Sequence, residues 1–164
     1  MEELKAQIAP TFNNMVKAIQ RFSHSGFNAI PFEGSWTPGQ IAAHVKMSVQ
    51  GIPELFTSET RPANRKADEK VQMVADVFLD FGKKYDSPEA IVPKQKEYDQ
   101  ERFIAFFSEY SDALQAMVSQ LDMSEICLGF EIPGFGPMTR LEFLSFVLFH
   151  TQRHTHQMEK IATS

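Results

Sequence analysis

The sequence predicts an all-α fold, a four-helix bundle with one short accessory helix, and three observations support that prediction. Four long stretches carry an apolar residue every three or four positions, the spacing that lines up one face of a helix. Two of them open with a capping box, a Thr followed three residues later by Gln or Glu, which satisfies backbone N–H groups at the helix start. The composition is globular, with 43% hydrophobic and 23% charged residues, too apolar for a disordered chain. At 164 residues the chain is expected to form a single domain, residues 1–164, with a real core.

The first helix is expected over residues 2–23. Leu4, Ile8, Phe12, Met15, Ile19 and Phe22 form its inner stripe, and Pro10 should bend it by removing a backbone donor. His24 follows among serines and reads as a solvated end residue. Gly26 to Trp36 is a connector. Thr37-Pro38-Gly39-Gln40 is a capping box with Pro at the first helical position, so the second helix is expected over residues 38–57. Ile41, Val45, Ser48, Ile52, Leu55 and Phe56 line its inner face, and Pro53 is expected to kink its second half.

Residues 58–67 are polar and basic, as in a surface loop. Val71, Val74, Val77 and Phe78 mark the accessory helix, residues 67–79. Gly82, Pro88 and Pro93 punctuate an irregular stretch, where Lys83 and Lys84 read as solvated. The third long helix, residues 99–121, has a broad face of Phe103, Phe106, Phe107, Tyr110, Leu114 and Val118. These aromatics read as core filling, not as a platform for stacking bases. A long connection follows, and its Ile132–Pro137 run cannot be helical. Thr139 and Glu142 then cap the last helix, residues 139–161.

That last helix poses the functional question. On a wheel of about 100° per residue with Leu141 at zero, Val147 falls at about 240° and Met158 at about 260°, on the apolar face. His150, at about 180°, and His154, at about 220°, lie in the same face. Glu142, Ser145, Gln152, Arg153 and His156 fall on the other side, and Phe149, at about 80°, reads as a mark of a subunit interface. Two imidazoles one turn apart in a core stripe need partners. Either they hydrogen-bond to neighbours, or they offer two nitrogens to one metal ion. His44 sits at the edge of the inner stripe of the second helix. Three imidazoles would leave an open position on a divalent ion, as in catalytic sites.

Other classes are disfavoured. The net charge of −5 argues against a nucleic-acid partner. Cys127 is the single cysteine, so neither an intramolecular disulfide nor a cysteine-based zinc site is possible, and its apolar neighbours suggest a packed thiol. No signal peptide or membrane-length apolar run is expected, and a cytoplasmic location without a membrane partner fits.

Three stretches resemble the DinB/YfiT-like family of metal-dependent helical proteins: Trp36-Thr-Pro-Gly-Gln-Ile-Ala-Ala-His44, Phe135-Gly-Pro-Met-Thr139 and His150-Thr-Gln-Arg-His154-Thr-His156-Gln157. The resemblance implies a four-helix bundle with up-down-down-up connections. It implies a divalent metal, zinc or nickel, held by His44, His150 and His154, with water completing the shell. It also implies a homodimer, and relatives that conjugate a low-molecular-weight thiol to an electrophilic small molecule. Where the family often has Arg-Gly before the final Gln, this chain has Thr155-His156. Side chains two apart on a helix do not face one another, so His156 is not expected to ligate. Gln157 falls on the ligand side and is a candidate for supporting a ligand.

The expected activity is activation of a small thiol for transfer to an electrophile, through a metal-bound water or thiolate. The alternatives are metal-dependent hydrolysis and a non-enzymatic metal-binding or dimerising bundle. No Asp or Glu stands out as a general base. Metal release is expected below about pH 6, because ligating imidazoles must be neutral.

Overall fold

The computed structural model describes residues 1–164, and the chain is mostly helical. In order it forms α1 (Glu2–Ala6), α2 (Ile8–Gln20), α3 (His24–Phe27), α4 (Pro38–Val49), α5 (Ile52–Thr57), β1 (Thr60–Arg61), α6 (Val71–Phe78), α7 (Gln100–Gln120), β2 (Ile126–Cys127) and α8 (Arg140–Thr163). No helix is long and apolar enough to cross a membrane.

Helix α8 organises the packing, because α2, α4 and α6 all lie against it, while α7 covers α2. Every residue from Arg140 to Thr151 is buried. The helix therefore has no solvated face in its first half, contrary to the amphipathic reading. Phe149 is 7% exposed and belongs to the core, so it marks no free interface. Glu142 and Ser145, expected on a polar side, are fully buried. The accessory helix α6 packs along α8, where its Phe78 meets Phe146 and His150.

Both capping boxes form. Thr37 with Gln40 starts α4, and Thr139 with Glu142 starts α8. Two expected helices are divided. The first breaks at Gln7, because Pro10 lacks the N–H that would bond to Ala6 and its ring crowds that carbonyl. The second breaks at Gln50 and Gly51 ahead of Pro53. His24 opens the short helix α3, capped by the Ser23 hydroxyl.

Strands were not expected. β1 pairs antiparallel with β2, Thr60 opposite Cys127 and Arg61 opposite Ile126. Two residues per strand are too few for an alternating pattern to register. Cys127 is buried there, as expected of a packed thiol, and burial pushes its pKa up to about 11.

A carboxylate anchors the start of α8. Glu142 accepts from Arg65 through both oxygens, at 2.5 and 2.7 Å, and from the backbone N–H groups of Lys70 and Thr139, each at 2.8 Å. Lys70 Nζ donates to the carbonyls of Phe135 and Pro137, fixing the turn before α8. That turn needs its glycines: Gly134 and Gly136 have φ of 89° and 63°, where a Cβ is strained. The polar loop of residues 58–67 is thus tied to the core rather than free. Removing one partner of a buried ion pair costs about 3–5 kcal/mol. Glu142→Ala should lower the urea-derived unfolding free energy by about that amount. A loss below about 1 kcal/mol would contradict this account.

Candidate metal centre

His44 lies in the second turn of α4, and His150 and His154 lie one turn apart on α8. Packing α4 on α8 brings the three rings together. One ligand nitrogen from each lies within 4.8 Å of the others. His44 and His150 are 3% and 4% exposed, and His154 is half-buried. His156 is not in the cluster; its ring stacks on Phe81 with centroids 4.5 Å apart.

Hydrogen bonds assign the protons on two of the rings. Nδ1 of His44 is 2.9 Å from the Ile91 carbonyl oxygen. Nδ1 of His154 is 2.9 Å from Gln157 Oε1. Both oxygens only accept, so both Nδ1 atoms carry the proton and both Nε2 atoms are bare. His44 Nε2 is 3.1 Å from His150 Nε2. Two nitrogens bound to one tetrahedral zinc-sized ion, with bonds of about 2.0–2.1 Å, would sit about 3.3 Å apart. Nδ1 of His150 is buried without a hydrogen-bond partner.

Aromatic walls hold the rings. Phe146 stacks on His150 with centroids 5.3 Å apart, Phe78 meets it edge-on at 5.5 Å, and Trp36 lies 5.2 Å from the His44 ring. Burial pushes all three imidazoles away from the charged form. His44 is lowered by burial against the opposing bond to Ile91. His150 is lowered far below its ordinary value by burial, then by the His154, His44 and Arg153 charges. His154 is pushed down to about 3, first by burial and then by His44. The cluster is therefore neutral at physiological pH, the state a metal requires.

The donor set fits a borderline divalent ion: three converging neutral imidazoles, those of His44 and His154 with Nε2 bare, beside aromatic side chains. Two parts of the surroundings carried no signal in the sequence. The Ile91 carbonyl is a backbone group that any residue supplies. The Phe78 wall depends on how α6 meets α8. Gln157, by contrast, lies three residues beyond His154 on the same helix face and is legible there. Glu142, the one fully buried carboxylate, is committed to Arg65 and two backbone donors and is not placed as a base. A separate cleft of about 290 Å³, lined by Gln7, Thr11, Gln152 and His156 among others, includes none of the three histidines.

The sign of the pH dependence follows from the lowered pKa values. Unfolding returns each ring to its ordinary value of 6.5, so below that pH the unfolded chain binds more protons. Stability is complete above 6.5 and is lost as pH falls toward 3, where His154 titrates in the folded protein. Measured with chelator present, wild type should lose stability more steeply between pH 6 and pH 4 than His154→Gln, by about 1.4 kcal/mol per pH unit. Parallel stability curves for the two proteins would refute the assignment.

One family model matches, that of the DinB superfamily, over residues 7–158. No curated protein and no solved structure gives a significant match. The matched span contains both capping boxes, all three clustered histidines and nearly the whole core, and the chain belongs to the DinB superfamily.

Proposed function

We propose that the chain is a divalent-metal-dependent enzyme, in which His44, His150 and His154 hold one zinc or nickel ion that activates a small thiol for transfer to an electrophile. The observation that carries the reading is the convergence of three neutral imidazoles, two buried and one half-buried, on one point. In this proposal the long helices α2, α4, α7 and α8 form an up-down-down-up bundle, one domain over residues 1–164, and the protein is a cytoplasmic homodimer acting on small molecules.

The chain's own residues then have defined roles. Ile91 and Gln157 fix the tautomers of His44 and His154, so both rings present a bare Nε2. Phe78, Phe146 and Trp36 exclude water and hold the rings in place. The Arg153 charge, next to His154 on α8, discourages protonation of the cluster. Three protein ligands leave a position open on the ion, which would supply Lewis acidity toward a thiol or water. Burial keeps the rings neutral below their ordinary pKa, so proton competition for the site sets in at lower pH than for exposed histidines.

Protein purified without chelator and refed with zinc or nickel should hold about one ion per chain by elemental analysis. His44→Ala, His150→Ala and His154→Ala should each lose it, and His156→Ala should keep it. Failure to take up either ion would sink the reading. Metal-dependent consumption of a thiol with an electrophile separates the transferase from a structural site, which would show only a metal-dependent melting temperature.

A further inference from the structure

The connection between α6 and α7, residues 79–99, holds one short 3₁₀ turn at Glu89–Ile91 and no other regular structure. A connection of this length is uncommon in a compact domain unless it has a function. It is pinned at both ends and in the middle by side chains from the rest of the protein.

Its first half lies on α8. Arg153 donates to the carbonyls of Phe78, Asp80 and Lys83, and lies 5.3 Å from the centre of the Tyr85 ring. Phe81 stacks on His156. Its second half lies on α4 and the segment before it. Gln40 donates to the Gln95 carbonyl, and the Asn28 amide both donates to and accepts from the Tyr98 backbone. Between the halves, the Ile91 carbonyl accepts from His44 Nδ1 at 2.9 Å. One chain segment thus bridges the two helices that carry the histidines, and its central attachment is a candidate ligand.

That attachment depends on the tautomer of His44. A neutral imidazole has one proton to place on either nitrogen. An ion on Nε2 confines the proton to Nδ1, facing the Ile91 carbonyl, and polarises that N–H bond. With Nε2 free, the proton can instead face His150 Nε2 at 3.1 Å. Nδ1 then presents a lone pair to a carbonyl oxygen, and the bond is lost.

We propose that residues 79–99 are a strap across the histidine cluster, latched at Ile91 through His44 when the cluster holds its ion. The ion strengthens this latch, so the strap is held more firmly with metal than without it. The inference rests on the metal reading above.

Limited trypsin digestion of the full chain tests it, with zinc uptake measured on the same sample. Lys83, Lys84, Lys94 and Lys96 are exposed cleavage sites on the strap, and the exposed Lys66 lies outside it. Zinc should slow cleavage at Lys94 and Lys96 by about tenfold relative to Lys66, the factor for one charge-assisted hydrogen bond. Val92→Pro removes the N–H that closes the 3₁₀ turn onto Glu89 and disfavours the helical backbone at Ile91. It should still bind zinc, roughly 10- to 100-fold more weakly, and at saturation show no zinc-dependent protection of Lys94 and Lys96. Zinc uptake with equal slowing at Lys66 and at the strap sites would overturn the strap and leave the metal centre standing. Full protection in Val92→Pro would likewise overturn the latch. No zinc uptake by wild type overturns both.

Discussion

A polar atom removed from water must find a partner, and α8 carries its polar atoms into the middle of the protein. It is the helix against which α2, α4 and α6 pack, so its first half has no face left for solvent. Each polar group along it is answered locally. Glu142 takes Arg65 and two backbone donors. Arg140 donates to the Phe56 and Asp122 carbonyls and to Glu125. Ser145 and Thr151 bond back to the carbonyls of Glu142 and Val147. His150 alone keeps a buried nitrogen without a partner. Among the fully buried side-chain nitrogens and oxygens, that exception falls at the histidine cluster.

The same constraint explains why the cluster is neutral. Charging any ring would place a cation in an aromatic pocket beside two other imidazoles and near Arg153. Burial and like charge act in the same direction, and no carboxylate lies among the three rings to oppose them. The pocket thereby holds bare nitrogen lone pairs where water would normally protonate or solvate them. Such an environment suits a soft-to-borderline cation better than a proton.

The irregular connections position α8 and His44. The Gly134–Gly136 turn, with Lys70 across its carbonyls, sets the angle at which α8 enters the core. The α6–α7 connection supplies Ile91 to His44 and receives Arg153 and His156 from α8. Arg153 and His156 flank His154 on the helix and hold down the connection that carries the Ile91 carbonyl.

The sequence by itself determined the long helical stretches, the two capping boxes and the candidate histidines, because these are local properties. Hydrophobic period and capping chemistry are written within a few residues, as at Thr37–Gln40 and Thr139–Glu142. The i, i+4 spacing of His150 and His154, and the reach of Gln157 to His154, follow from helix geometry alone. Tertiary structure decided everything that depends on who covers whom. A wheel assigns one buried face, so it could not foresee that Glu142, Ser145 and Phe149, outside that face, would be buried as well. It could not find the Ile91 carbonyl, since a backbone acceptor leaves no mark in residue type. Nor could it find the two-residue strands, which are paired only through a partner more than sixty positions away.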